Sequence, residues 1–161
     1  MTIRKATKED AEPIWKIIKS VIADGDTYAF DPKSSRDEMI SYWLGHDKHC
    51  YVAEIDKHIV GTYILKDNQP GLGSHIANGS YMVHPTFQSH GIGKALGSHS
   101  IAAAKALGYL AIQFNIVVSS NEPAISLWKR LGFEIIGTVP KGFNHRTLGY
   151  TDIHIMWRSL S

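Results

Sequence analysis

The sequence predicts an α/β (α+β) domain of about seven strands and about four helices. Two observations carry that reading. Apolar residues switch between helical and alternating spacing along the chain, and Gly, Pro, Asn, Asp or Ser marks the changes between segments. The 161 residues are 43% hydrophobic, enough for one sizeable core, and nothing suggests a boundary, so residues 1–161 are expected to form a single domain.

Residues 2–6 read as a short first strand. Thr7-Lys8-Glu9-Asp10 is close to a capping box. Ala11, Ile14, Trp15, Ile18, Val21 and Ile22 then recur at helical spacing, and Asp24-Gly25-Asp26 stops that helix. Tyr28-Ala29-Phe30-Asp31-Pro32 is a loop carrying two aromatics. Ser34 or Ser35 caps a second helix reaching about residue 44. Residues 50–55 and 59–65 pair as a hairpin about Asp56-Lys57. A Pro/Gly loop over 68–74 leads to a strand over 75–83.

Beyond a glycine turn, Ile92, Leu96, Ala103 and Leu107 predict a buried helix stripe ending at Gly108. Within 110–118, Ile112, Phe114, Ile116 and Val118 share one face, and Gln113, Asn115 and Val117 the other. Asn121 is a natural N-cap, Pro123 sits in the first turn, and Gly132 ends the helix. Residues 133–139 and 150–157 are the last strands, joined by a Gly-rich loop over 140–149.

Charge and cysteine content narrow the function. The balance of 17 Lys+Arg against 15 Asp+Glu gives a net charge of +2 with no basic block, so nucleic acid is not an indicated partner. The one cysteine, Cys50, excludes an internal disulfide and fits a reducing compartment. No signal peptide and no bilayer-spanning run is present, so a cytoplasmic location without a membrane partner is expected.

The most informative stretch is Gln88-Ser89-His90-Gly91-Ile92-Gly93-Lys94-Ala95. Two glycines at the mouth of a helix let several amides point at one place, where free donors and a positive dipole end hold an anion. A Walker loop would need Gly at Gln88 and a hydroxyl at Ala95. A dinucleotide fingerprint would need Gly at Leu96. The alternative is a plain tight turn.

Two further segments change the weight of that turn. Tyr81-Met82-Val83-His84-Pro85 precedes it, and Asn121-Glu122-Pro123-Ala124-Ile125-Ser126-Leu127-Trp128-Lys129-Arg130-Leu131-Gly132-Phe133 follows. In this order and spacing the sequence resembles the Gcn5-related N-acetyltransferase (GNAT) superfamily, most strongly over residues 77–133. The resemblance implies a mixed central sheet of about seven strands flanked by about four helices. It also implies transfer of an acetyl group from acetyl-CoA to an amine.

On that resemblance, the strand before the turn separates from its neighbour at a bulge, and the cofactor arm pairs with the freed main chain at Tyr81, Met82 and Val83. The pyrophosphate meets the amides of Ser89, His90, Gly91, Ile92, Gly93 and Lys94. The Lys94 side chain either adds a charge or is simply solvated. Asn121 contacts the cofactor arm or only caps its helix. Trp128 stands where the superfamily often has a tyrosine that protonates the departing thiolate. An indole N–H cannot act as that acid, so Trp128 either packs on the arm or belongs to the core.

The usual glutamate base is absent from both central strands. They offer Asn78, Tyr81, Gln113 and Asn115 instead. Residues 114–121, 127–133 and 139–142 are similar to fungal acetyltransferases acting on azetidine-2-carboxylate and other proline analogues, which use strand asparagines at the acceptor. Asn115 and Asn121 match that paired pattern, Asn78 less surely; a strand amide satisfied by a neighbour is the other reading of Asn115. Residues 142–152 look like a segment of phosphinothricin-type acetyltransferases. A small amino-acid-like amine is therefore the expected acceptor. Tyr28, Phe30, Arg146 and Tyr150 are its candidate contacts, with Phe143 and Asp152 nearby, and Arg146 is able to clamp a carboxylate. Core or surface roles for Tyr150 and Arg146 remain open.

His75 and His145 are candidate bases. His46-Asp47-Lys48-His49-Cys50 reads as a solvated loop, and no metal site is expected. A protein N-terminus or lysine is the second acceptor class, and a non-catalytic CoA-binding module the reading from outside enzymology. The superfamily often pairs, so a homodimer is possible.

Overall fold

Local caps fix where the first helices begin. Ser35 Oγ accepts the Glu38 amide at 3.1 Å while Glu38 accepts the Ser35 amide at 3.2 Å, so Ser35 and not Ser34 is the cap. Near the N-terminus, Asp10 accepts the Thr7 amide at 2.7 Å and is gripped by both arms of Arg4 at 2.8 and 2.9 Å. The Arg4 guanidinium holds the Asp10 carboxyl below its ordinary range.

The computed structural model describes residues 1–161. In chain order the elements are β1 (Thr2–Lys5), α1 (Ala11–Asp24), α2 (Arg36–Trp43), β2 (His49–Ile55), β3 (His58–Asp67) and β4 (Ile76–Val83). They continue as α3 (Ile92–Ala106), β5 (Ala111–Val118), α4 (Glu122–Arg130), β6 (Glu134–His145) and β7 (Gly149–Ser159). The seven strands form one mixed sheet, in the order β1-β2-β3-β4-β5-β7-β6. Only β4 and β5 run parallel.

Alternation along the strands divides the core into two layers. One face carries α1 and α2, where Ile14, Ile17, Ile18, Ile22, Met39 and Trp43 pack on Val52, Ile64 and Met82. The other carries α3 and α4, where Ile92, Leu96, Ala104 and Trp128 pack on Tyr51, Tyr63, Leu65, Ala77 and Phe114. The Trp43 indole donates to Thr62 Oγ1 at 3.0 Å and Thr62 donates to the Tyr51 carbonyl at 2.8 Å, so the buried polar groups between α2 and the sheet satisfy one another.

Three sequence expectations are corrected. On α3, Leu107 is 40% exposed; the buried side is Ile92, Leu96, Gly97, Ser100 and Ala104, the last three small enough to let the helix lie close. On β5, the register slips between Phe114 and Val117, which turns Ile116 out to solvent and buries Val117 and Val118 in succession. And β6 does not stop at Val139. It absorbs an irregularity between Val139 and Phe143 and runs on to His145. Lys141 takes a φ of 56° there, held by its amide bond to Asp152 at 3.0 Å, and Gly142 leaves room for Ile153.

The two helices flanking the β4–β5 junction touch at a glycine. A Cβ on Gly97 would lie 2.6 Å from Leu131 Cδ1 and 3.0 Å from Trp128 Cζ3. Gly97→Val is expected to destabilise the fold by about 1–3 kcal/mol, as overpacking does, seen as a lower midpoint in denaturant. An unchanged midpoint would mean that α3 and α4 have slack at this contact.

Candidate active site

β4 and β5 pair only at Ile76–Ala111 and Ala77–Ile112. On its other side β4 stays paired with β3 as far as Val83, opposite Gly61. The Asn68 amide bonds the Ile76 carbonyl and the His84 amide bonds the Val60 carbonyl, each at 2.8 Å, so the even-numbered residues of β4 exchange bonds with β3. The main-chain groups of Gly79, Tyr81 and Val83 therefore face the gap that β5 has left. Of the three expected arm-pairing residues, Tyr81 and Val83 present their backbone there. Met82 does not: it pairs with Thr62 and buries its side chain beneath α1. The irregularity expected in the strand before the glycine turn falls in β5 instead.

Aromatic rings bridge the lips of the gap. The Tyr81 ring lies back along its own strand over Gly79, where a Cβ would come within 2.8 Å of its hydroxyl. That hydroxyl donates to Ser100 Oγ at 2.7 Å, and Ser100 donates to the Gly97 carbonyl at 2.8 Å. Trp128 is 7% exposed, with its ring 4.7 Å from Tyr81 and 4.5 Å from Phe114. It belongs to the core and touches both strands where they part.

At the end of β4 the chain turns into α3. Ser89 and Gly91 both take positive φ, 67° and 75°, and the first helical bond runs from the Ala95 amide to the Gly91 carbonyl at 3.1 Å. The amides of Ile92, Gly93 and Lys94 therefore precede any helical acceptor and stand at the positive end of α3. A Cβ on Gly91 would meet nothing within 4 Å, and one on Gly93 only Leu127 Cδ2 at 3.6 Å, so the mouth of the turn is open. The His90 ring turns back, with Nδ1 2.9 Å from the Gln88 carbonyl. Lys94 is exposed and Ile92 buried. Asn121 caps α4, accepting the Ala124 amide at 3.3 Å.

On the α1–α2 face of the gap lies a cavity of about 330 Å³. Tyr28, Phe30, Asn78 and Asn115 line it together, with Ala29, Gly79, Ser80, Phe114 and Ile116. Asn115 is held in a chain of amides: Gln113 donates to its Oδ1 at 3.0 Å and its Nδ2 donates to Asn68 at 2.7 Å. Asn68 escaped the sequence reading because an Asn beside Pro70 in a turn carries no other signal. The Tyr28 hydroxyl reaches the main chain of Tyr81, accepting its amide at 2.8 Å and donating to its carbonyl. Burial pushes the Tyr28 phenol up to about 12. Tyr28 is the only titratable residue lining the cavity.

The remaining candidates lie elsewhere. Arg146 is packed on Gly25, with its amide bonded to the Gly25 carbonyl at 3.0 Å and its guanidinium 3.4 Å from the Ala23 carbonyl; it ties the β6–β7 tip to the end of α1 and does not line the cavity. Tyr150 is 71% exposed and also outside the lining. His145 Nδ1 accepts the amides of Thr147 and Leu148 at 3.1 Å and so closes the hairpin turn. His75 is exposed and contributes its carbonyl to the Leu110 amide.

The Tyr81–Ser100 pair gives a test of this packing. Ser100→Ala leaves a buried phenol without its acceptor and is expected to cost about 1–3 kcal/mol. Adding Tyr81→Phe removes the orphaned group and should restore most of that loss. A double variant less stable than Ser100→Ala alone would show that the hydroxyl has another partner.

With this geometry in view, the chain matches the Acetyltransferase (GNAT) family over residues 15–133. It is 32% identical over 155 residues to N-acetyltransferase aca1 of Schizosaccharomyces pombe, covering 81% of this chain and 71% of that protein. The fold superposes on a GCN5-related N-acetyltransferase from Kribbella flavida with a TM-score of 0.93 and 36% identity, over 98% of this chain and 96% of that one. It also superposes on a phosphinothricin acetyltransferase from Sinorhizobium meliloti solved with acetyl-CoA, with a TM-score of 0.89 and 23% identity over 99% and 88%. A strand that opens onto a glycine turn, and the extent of these matches, place the chain in the Acetyltransferase (GNAT) family.

Proposed function

We propose that this chain transfers the acetyl group of acetyl-CoA to the amine of a small amino-acid-like acceptor, by direct attack in a ternary complex. The observation that supports this reading best is the one-sided pairing of β4. Its β5-facing edge offers main-chain donors and acceptors at Gly79 and Val83, with those of Tyr81 held by the Tyr28 hydroxyl, and leads straight to an anion-seeking helix start. Coenzyme A carries both complements, an arm of amides that pairs as an added strand and a diphosphate for the amides of residues 89–94.

The residues present fit that group. The turn is open above Gly91 and Gly93, and the Asn121 amide nitrogen stays free of the cap that its oxygen makes. Lys94, exposed at the helix start, adds charge, and Trp128 walls the arm from the core side. Bound there, acetyl-CoA supplies an activated acyl carbon.

The acceptor's place is the cavity. Its volume of about 330 Å³ lies at the small end of the range of ligand pockets. Asn78 and Asn115 orient the amine, and Asn115 is preset for this by Gln113 and Asn68. Tyr28 and Phe30 supply the apolar wall. No carboxylate or imidazole lines the cavity, so the acceptor's proton leaves to water rather than to a side chain. That same absence supports the second reading, a module that binds CoA without turning it over.

Thiol release from acetyl-CoA, measured against small amino acids, a peptide with a free N-terminus and a lysine peptide, separates the readings. A small amino acid or analogue should turn over fastest. Preference for a peptide would move the acceptor class, and tight CoA binding without turnover on any amine would favour the module. Gly93→Leu should keep the fold, since its Cβ meets only Leu127 Cδ2 at an ordinary 3.6 Å, yet weaken acetyl-CoA binding by about tenfold or more, or ~1.4 kcal/mol. Undiminished affinity by calorimetry would count against the turn as the diphosphate site.

A further inference from the structure

The hydroxyl of Tyr28 makes two bonds, and both are to the main chain of one residue, Tyr81. A side chain from the loop between α1 and α2 thereby does what the next strand of a sheet would do. It satisfies an N–H and a C=O that β5 has abandoned. The position it holds has a consequence for the reaction. An oxygen seated 2.8 Å from the Tyr81 amide, in the gap and at the rim of the acceptor cavity, marks where a thioester carbonyl oxygen gains its main-chain donor.

We infer, resting on the acetyl-CoA reading above, that Tyr28 is a catalytic residue of the acyl transfer, a second hydrogen-bond donor to the thioester carbonyl oxygen beside the Tyr81 amide. When that oxygen takes the Tyr81 N–H, the Tyr28 hydroxyl loses the bond it accepted. It needs to move only about one hydrogen-bond length, ~2.8 Å, to redirect its O–H from the Tyr81 carbonyl to the newcomer. Its ring has support for such a shift without leaving the wall of the cavity, since it stacks on Phe30 at 6.1 Å and Phe30 meets Tyr42 edge-on at 5.6 Å.

In the step itself, the amine nitrogen forms a bond to the carbonyl carbon while negative charge grows on the oxygen between the two donors. The C–S bond then breaks with its electron pair on sulfur, and the proton from the new amide nitrogen leaves to water. Tyr28 keeps its proton throughout. The high phenol pKa that burial gives it fits a group that donates a hydrogen bond without surrendering the proton.

Tyr28→Phe tests this, because it retains the ring and its stack on Phe30 and removes only the hydroxyl. Two readouts are needed. With the acceptor that the parent enzyme turns over fastest, kcat should fall by about 10²–10³-fold, the usual loss for one such donor. With carbonyl-¹³C acetyl-CoA alone, the isotope-edited infrared band of the bound thioester should lie below its frequency in water for the parent and move back toward that frequency in Tyr28→Phe. A band at the same position in both proteins, or a kcat within threefold of the parent, would overturn the role of Tyr28 while leaving the acetyltransferase reading intact. A parent protein that fails to bind acetyl-CoA at all would overturn both.

Discussion

β4 exchanges hydrogen bonds with β5 only at its first two residues, and beyond them the middle of the sheet has two unpaired lips. Leaving a main-chain N–H or C=O unbonded away from water costs on the order of 1–3 kcal/mol for each group. A split of this kind persists only if something holds the strands apart and something else answers the freed groups. Both devices are present. Pairing with β4 ends at Ile112, just before the register of β5 slips between Phe114 and Val117, and Tyr28 answers Tyr81 from outside the sheet. The rest of the molecule is arranged around keeping that opening.

The holding apart is done by packing. Tyr63, Tyr81, Trp128, Phe114 and Phe133 form a continuous run of rings from β3 across the split to the end of α4, with neighbouring centroids 4.5 to 5.4 Å apart. Such contacts are worth more than area alone because edge and face charges complement one another. Gly97 lets α3 settle onto this run, and Ser100 anchors the Tyr81 hydroxyl from the same helix. The helix that begins at the glycine turn is thus fixed by the rings that prop the gap open. The turn is packed, through them, against the strand whose edge is open.

The element order and the glycine turn were legible in the sequence because each depends on local chemistry: periodicity, caps and positive φ. What escaped it is non-local. Strict alternation assigns Ile116 to the buried face, and only pairing with β7 reveals the slip that exposes it. Arg146 has the chemistry of a carboxylate clamp, but the β6–β7 tip folds against Gly25, where its fork serves a helix end. The extension of β6 past Pro140 depends on Asp152 catching the Lys141 amide across the hairpin. Asn68 matters only because β3 and β4 bring its turn beside Asn115. Tyr28, Phe30, Asn78 and Asn115, singled out in the sequence, line one cavity, because the loop after α1 lies over the strands that carry the two asparagines.

The exchange of an expected tyrosine for Trp128 bears on what kind of acid–base chemistry the site supports. An indole in the core excludes water from the junction of the strands but has no proton to lend. The cavity has one ionisable group, and burial keeps it protonated far above neutrality. The lining offers hydrogen-bonding dipoles and neither carboxylate nor imidazole. The Tyr81 amide and the Asn115 amide locked between Gln113 and Asn68 do not titrate, and burial holds the Tyr28 hydroxyl protonated at neutral pH. The Asn115 amide is oriented in advance by its two partners, and dipoles preset in this way cost no reorganisation when charge develops beside them.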